Sequence, residues 1–211
     1  MIKVAAINNL NDLNPVHMDV LKEIGNIGSG SAATALSGLL GEAVDITVPD
    51  VKIMNFADTI NFMGGAEKIV TGLMISFEGE ISGLILYIIQ KEFVQKIVKT
   101  FYLKDLQNLL DMDDMDRSAV CEIGNIMAGS YVNAISGLTG ITIDLSTPSI
   151  CIDMAGAILS VPAIEYASLG DKVLFINDNF KIAEGSYKCN MILIPEMNSL
   201  STLFGKLGIE I

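Results

Sequence analysis

The sequence contains no tryptophan, a single histidine and few basic residues, with 13 lysines and arginines against 25 aspartates and glutamates. A Ser-His-Asp triad, a histidine-ligated metal site and a phosphohistidine intermediate each need an imidazole beside the chemistry, so the lone His17 argues against all three. The formal net charge of −12 argues against nucleic acids and anionic membranes as partners, because their phosphates would be repelled. Any phosphate group that this protein meets must therefore be recognised locally.

Cysteines and long apolar runs are also scarce. Cys121, Cys151 and Cys189 are odd in number and show no C-x-x-C spacing, which predicts reduced, mostly buried thiols rather than disulfides or a zinc site. The longest apolar run, LILYII, is too short to span a bilayer, and the N-terminus lacks the apolar core of a signal peptide. We therefore expect a cytoplasmic, globular protein with no membrane insertion.

An internal repeat dominates the sequence. Residues 19–49 and 118–148 align without gaps at an offset of 99, and 14 of the 31 positions are identical. Average residue frequencies would give roughly two identities, so the duplication is real. The longest shared block is Glu-Ile-Gly-Asn-Ile, at 23–27 and 122–126.

A glycine-rich segment in the first copy has the spacing of a dinucleotide-binding fingerprint. Gly28-x-Gly30-x-x-Ala33 could cradle a phosphate, and Asp50 lies about twenty residues downstream. That fingerprint requires a preceding strand, whereas the segment before it, VHMDVLKEI, is typical of a helix. Met127 also replaces Gly28 in the second copy. The sequence therefore disfavours a dinucleotide site, and the feature kept in both copies is Glu-x-x-Asn.

Two other motifs are interpreted as structural. The acidic run DMDDMD at 111–116 suggests a calcium loop, but Asp116 stands where such a loop needs glycine. Carboxylates beside a helix N-terminus, stabilised by the helix dipole, explain it better. His17 aligns with Asp116, so the second copy has no imidazole, and we expect His17 to be a solvated residue in the first helical turn.

Each repeat is predicted to begin with a long helix. Asn14 before Pro15, and Asp113 at the equivalent position, are good N-caps. Glycines at 38–41 and 137–140 predict the C-termini. Apolar residues at helical spacing predict the buried side of the first helix: Val20, Leu21, Ile24, Ile27, Ala32, Ala35, Leu36 and Leu39.

The rest of each half is predicted to alternate strands with short helices. Segments 43–56 and 141–154 have the β-branched character of strands that a proline interrupts. We predict short helices at 57–64 and 154–168, two strand-like runs per half, and closing amphipathic helices at about 91–103 and 196–207. Because no linker or low-complexity boundary is visible, we expect one pseudo-twofold α+β domain over 1–211, made of two repeats at about 12–105 and 111–211.

The shared polar residues fall on one face of each long helix. At about 100° per residue, Asp19, Glu23 and Asn26 form a stripe that turns away from Ile24 and Ile27, and it continues through Gly30 and Ala33. The corresponding residues of the second copy are Ser118, Glu122, Asn125, Gly129 and Val132. The nearly bare turn beyond each asparagine would let another protein approach closely.

A purely structural interpretation of these residues is open. Glu and Asn are ordinary solvated helix residues, and the two glycines would relieve crowding against a neighbouring helix. Packing does not demand an amide in particular, however, so the retention of Glu-x-x-Asn in both copies favours a functional role.

The repeated pattern resembles the signature of a known family. Asp or Ser, three residues, Glu, two residues, Asn, twenty-two residues and Pro occur twice, at Asp19, Glu23, Asn26 and Pro49 and again at Ser118, Glu122, Asn125 and Pro148. This is similar to the CheC family of chemotaxis phosphatases, which includes CheX and the N-terminal part of FliY. CheX has one active copy and FliY an added domain, so we expect a CheC-type member with no further domain. Ser118 opposite Asp19 leaves open whether the two sites are equally active.

The resemblance implies a fold and an activity. The fold is a continuous, mainly antiparallel six-stranded sheet with the two signature helices side by side. The activity is hydrolysis of the aspartyl phosphate on the response regulator CheY, with Glu23, Asn26, Glu122 and Asn125 as active residues. Asp19, Gly30, Ser118 and Gly129 would contact the partner. CheD is the implied regulatory partner, and we expect a monomer.

The implied chemistry suits a sparse site. An acyl phosphate is already activated, and the receiver brings its own magnesium and lysine, so this chain needs no metal or cofactor of its own. An amide can accept from a water through its oxygen and donate through its NH₂, so we expect the asparagines to position the attacking water. The glutamates would pair with the receiver's lysine, with general-base catalysis as the alternative role.

A second hypothesis comes from a different class of protein. The chain would be a non-catalytic module that binds CheY-P or CheD, or an adaptor associated with the flagellar switch. Such a module would keep a docking surface but would not need an amide in both copies, so the twin Glu-x-x-Asn favours the enzyme.

Overall fold

The computed structural model describes residues 7, 9–47, 50–167 and 170–209. The helices are α1 (Pro15–Leu40), α2 (Phe56–Phe62), α3 (Lys91–Tyr102), α4 (Asp114–Thr139), α5 (Ala155–Glu165) and α6 (Met197–Lys206). The strands are β1 (Val44–Ile46), β2 (Asp50–Asn55), β3 (Ile69–Gly79), β4 (Gly83–Ile89), β5 (Ile143–Leu145), β6 (Ser149–Met154), β7 (Lys172–Ile182) and β8 (Gly185–Pro195). Short 3₁₀ helices, Leu10–Asp12 and Leu109–Asp111, precede α1 and α4.

The two long helices begin and end as predicted. The Asn14 side chain accepts from the backbone N–H of His17 at 3.1 Å, and that of Asp113 accepts from Asp116 at 2.9 Å. Gly41 and Gly140 close the helices at φ values of 67° and 72°, a left-handed conformation that glycine adopts without strain. Because α1 runs unbroken through residues 23–32, and none of the described residues before it forms a strand, the glycine-rich segment is not a dinucleotide loop.

The prediction that His17 is solvated was wrong. Its ring is 2% exposed, accepts from the backbone N–H of Asn14 at 3.1 Å through Nδ1 and packs on Phe204 with 4.4 Å between ring centroids. In the second copy the buried carboxylate of Asp116 accepts from the backbone N–H of Asp113 at 3.1 Å and binds the ammonium group of Lys104. An imidazole and a carboxylate can both accept the N-cap backbone hydrogen bond of a capping box. His17 and Asp116 therefore have the same structural role in the two copies.

The sheet has the predicted antiparallel pairing, with more strands than expected. Its order is β1-β7-β8-β4-β3-β5, with β2 also on β7 and β6 also on β3. The eight strands occupy six positions, because β1 and β2 lie along one edge and β5 and β6 along the other. Pro148, which offers no N–H to the ladder, lies in the break between β5 and β6. Pro49 is outside the described residues.

The strand order relates the two halves by a local twofold axis. The axis passes between antiparallel β4 and β8, and the edge strands of each half pair with the other half. Ile85, Tyr87 and Ile89 face the core that α1 and α4 cover, whereas Leu84 and Leu86 face α2 and α5. Since α1 and α4 lie on the same face of the sheet, a twofold axis perpendicular to it makes them run in opposite directions.

The buried side of α1 matches the predicted one except at two positions. Leu21, Ile24, Ala32 and Leu36 are buried, but Ile27 is 36% exposed and Ala35 is exposed. The reason is that α1 contacts α4 through the side of the helix that carries Gly28 and Ser29. The side that carries Ile27 and Ala35 therefore faces solvent. The exposed face of α1 therefore includes Ile27 and Ala35 in addition to Asp19, Glu23 and Asn26.

A close contact seats α1 on α4. A Cβ at Gly28 would lie 2.6 Å from Tyr131 Cδ1, so only glycine lets the tyrosine ring approach this closely. Beneath it, the Ser29 hydroxyl donates to Asp178 Oδ1 at 2.9 Å, the Tyr131 hydroxyl donates to Oδ2 at 2.9 Å, and the two hydroxyls also contact each other. These three residues, the buried triangle, tie both long helices to β7.

The buried triangle favours a protonated carboxyl group. Asp178 is 1% exposed, and removal from water disfavours the charged form of a carboxyl group. Burial raises the pKa of Asp178 from 3.8 to about 6, although the hydroxyl hydrogen bonds offset part of this effect. Because the folded state holds the proton more tightly than the unfolded chain, this contribution to stability is complete below pH 4 and is lost as the pH rises through 6.

We predict that Asp178→Asn removes this dependence on pH. Relative to the variant, the wild type should lose about 1.5 kcal/mol of unfolding free energy between pH 5 and pH 8, measured by urea denaturation. Asp144→Asn, at an exposed position of β5, is the control and should follow the wild type. If the unfolding free energies of the wild type and Asp178→Asn change in parallel with pH, Asp178 has the same pKa in the folded and unfolded states.

Candidate functional site

The structure places the predicted residues on one exposed surface. Glu23 and Asn26 are exposed on α1, and Glu122 and Asn125 are exposed on α4. Residues three apart on a helix are neighbours on its surface, so each Glu stands beside the Asn of its own copy. We call these two pairs the polar stripes.

The polar groups of the stripes are not used within the described chain. None of the four side chains forms a hydrogen bond or an ion pair with a residue that the structure describes, so their carboxylates and amides are open to solvent. A residue kept for capping or for an ion pair would be engaged. These side chains are available to an external partner.

One turn before each stripe, the two copies differ. Asp19, whose side chain is 74% exposed, pairs with Lys22 at 3.1 Å. The second copy has Ser118 and Cys121 at these positions. Burial raises the pKa of the Cys121 thiol, the opposite of what an activated nucleophile needs. Lys22 was not among the predicted site residues, although its i, i+3 spacing from Asp19 indicates the ion pair.

The glycines beyond the asparagines do not serve packing. A Cβ added at Gly30 or Gly129 would meet nothing within 4 Å, whereas one at Gly28 or Gly124 would collide with Tyr131 or Leu73. The structural interpretation of Gly30 and Gly129 as relief for a neighbouring helix is therefore wrong. They leave a bare stretch of backbone beside each asparagine.

The exposed face that carries each polar stripe ends at its glycine, earlier than predicted. Ala33 and Val132 were expected to continue them, but both are buried. Both lie on the side of their helix that turns towards the other long helix, as does Ser29, which contacts Tyr131. Each asparagine consequently stands beside the seam where α1 and α4 meet.

The described residues contain neither a cluster of three or more metal-ligating side chains nor a helix that could span a membrane. No group of three or more His, Cys, Asp or Glu residues in the described chain is arranged to hold a metal ion. Among the same residues, no helix is both long and apolar enough to cross a bilayer. The three cysteines are free thiols; Cys189 is buried, whereas Cys121 and Cys151 are only partly buried and so less enclosed than predicted.

Comparison with known proteins identifies relatives of the whole chain. The model of the CheC-like family matches residues 16–53 and 115–152, which are offset by the same 99 positions as the internal repeat. The CheY-P phosphatase CheC of Bacillus subtilis is 31% identical over 206 residues, which cover 94% of this chain and 97% of that protein. The flagellar motor switch phosphatase FliY of B. subtilis is 29% identical over 68% of this chain and 38% of its own length.

A solved structure shares the fold. Thermotoga maritima FliY superimposes with a TM-score of 0.74 at 25% identity, covering 93% of this chain and 98% of that one. The middle domain of FliM from Helicobacter pylori superimposes with a TM-score of 0.66 at 9% identity. At this identity the likeness concerns the fold alone. The repeat, the twofold sheet and the relative that spans 94% of the chain lead to one conclusion: this protein belongs to the CheC-like family.

Proposed function

We propose that this protein is a phosphatase that hydrolyses the aspartyl phosphate of a CheY-type response regulator. The observation that carries the proposal is the pair of polar stripes: in both copies Glu and Asn stand on an exposed helix face and have no partner in the described part of the chain. Relatives named as a CheY-P phosphatase and as a flagellar motor switch phosphatase support it.

An exposed site of this kind suits a protein substrate. Asn26 and Asn125 stand on helix surfaces rather than in a cleft, so the walls that exclude water must come from the partner. A receiver domain supplies such walls together with its phosphoaspartate, and the bare backbone at Gly30 and Gly129 lets it approach. We propose that the receiver also supplies the Mg²⁺, and that no cofactor of this chain takes part.

The reaction needs a water in line with the phosphorus. In the proposed step, the water oxygen bonds to phosphorus while the bond from phosphorus to the aspartyl oxygen breaks. The electron pair of that bond stays on the receiver's carboxylate, and the water's proton leaves with the phosphate or to solvent. Asn26 or Asn125 accepts from this water through its side-chain oxygen, so the chain contributes mainly positioning.

The glutamates are proposed to hold the receiver. Glu23 and Glu122 lie three residues before their asparagines, and each could pair with the receiver's active-site lysine. A charge pair at a wet surface contributes about 0 to 1 kcal/mol, enough to fix orientation without tight binding. Binding of CheD and a monomeric state, both expected from the family, belong to the same proposal.

We predict that the two residue types separate in steady-state kinetics. Asn26→Ala with Asn125→Ala should lower kcat on the order of 10²-fold or more and leave receiver binding nearly intact. Glu23→Gln with Glu122→Gln should raise KM by up to about fivefold with a smaller effect on kcat. Asn61→Ala, on exposed α2 at the opposite face of the sheet, is the control.

Binding is measured separately, with a receiver that carries a stable phosphoryl mimic. If the Asn variant fails to bind while the Glu variant turns over normally, the assigned roles are reversed. If both variants match the wild type, the polar stripes are not the active site.

We also predict that Gly30→Leu with Gly129→Leu blocks docking without unfolding the protein. The Cβ of each new side chain would meet nothing within 4 Å, and leucine is the better helix former by up to about 1 kcal/mol. Thermal melting and receiver binding are the two measurements. Ser160→Leu, which adds the same side chain to exposed α5 on the other face, should bind normally. A double variant that melts early would contradict the structure at these glycines.

A further inference from the structure

The two polar stripes border the same seam between the long helices. On α1, the buried residues Ser29 and Ala33 turn towards α4, and Asn26 stands at the edge beside them. The equivalent residues of α4, Ala128 and Val132, are buried as well. Both asparagines therefore stand along a single seam rather than on opposite flanks of the helix pair.

The twofold arrangement brings the two bare glycines together. Gly28 packs on Tyr131, which places these positions at about the same level of the two antiparallel helices. Counting two residues in opposite directions brings Gly30 level with Gly129, to within about one helical turn. We call these two glycines the central patch.

The asparagines lie on either side of the central patch. Asn26 and Asn125 each precede their glycine by four residues, in opposite directions. With a rise of 1.5 Å per residue and helix axes 8–10 Å apart, the two amides are separated by about 15 Å. Glu23 and Glu122 lie one turn further out, at the two ends of this surface.

A receiver domain is too large for two copies to fit on this surface. A domain of about 100 residues has a radius of gyration near 13 Å, and is therefore about 30 Å across. Two such domains centred about 15 Å apart on the same side of the helix pair would overlap. A receiver docked at either asparagine also covers the central patch that the other needs.

We propose that the two sites share the central patch and bind one receiver at a time. This inference rests on the proposed function, and it adds the stoichiometry. The duplication then does not double the number of substrates held by the chain. It offers a receiver two docking orientations, related by the twofold axis, on one surface.

Stoichiometry is the first test. The wild-type chain is mixed with an excess of a beryllofluoride-activated CheY-type receiver, and the mass of the complex is measured by native mass spectrometry and light scattering. We expect one receiver per chain at saturation. Two receivers per chain would overturn the inference but not the proposed function, whereas no binding and no turnover would overturn the proposed function itself.

The second test uses steady-state kinetics of variants in which receiver docking is blocked at only one of the two polar stripes. Glu23→Arg and Glu122→Arg each place a cation where the receiver's lysine would bind, at opposite ends of the surface. If the sites compete, the wild-type kcat lies between those of the two single variants, and the wild-type KM is lower than both. If the sites act independently, the wild-type kcat is the sum of the two.

The matched control is Glu165→Arg, the same reversal at an exposed position at the end of α5, which should leave stoichiometry and kinetics as in the wild type. A wild-type kcat equal to the sum would overturn competition. A single variant that no longer binds any receiver would also overturn it, because the chain would then have one site rather than two.

Discussion

The seating of α1 against α4 is the contact on which the site depends. Gly28 admits the ring of Tyr131, and the buried triangle of Ser29, Tyr131 and Asp178 fixes both helices over β7. This contact settles which faces of the helices turn inward, so it brings Asn26 and Asn125 to the two edges of one seam. It is also asymmetric, because the repeat places Ala128 and Ala32 opposite Ser29 and Tyr131. One polar anchor therefore serves both polar stripes.

Local signals in the sequence predicted much of the fold. Caps at Asn14 and Asp113 and the glycines after each long helix set helix boundaries that the structure confirms, because capping depends on a few neighbouring residues. The burial of His17 and of Ala33 could not be predicted in this way, since it arises from Phe204 and from the other long helix. The buried triangle was also missed, because nothing near Asp178 in the sequence indicates which helices cover it.

The candidate site was accessible to sequence analysis for a different reason. Duplication gave two copies of Glu-x-x-Asn in one chain, and a helix of known period placed each pair on one face. The structure adds that these side chains have no hydrogen-bond or ion-pair partner among the described residues, and that a Cβ at Gly30 or Gly129 would meet nothing within 4 Å. The sequence could not reveal the distance between the two copies, because that distance depends on how α1 and α4 pack. Their packing makes the two polar stripes parts of one surface.

The proposed function requires that this chain turn over the phosphorylated receiver rather than capture it. The most direct test is the decay of radiolabelled phospho-CheY in the presence of substoichiometric protein. If the asparagines position a water as proposed, we expect release of many equivalents of inorganic phosphate per chain, because the receiver is free to leave once its carboxylate is regenerated. Phosphate release that never exceeds one equivalent per chain would contradict this account and indicate a protein that sequesters the phosphorylated regulator.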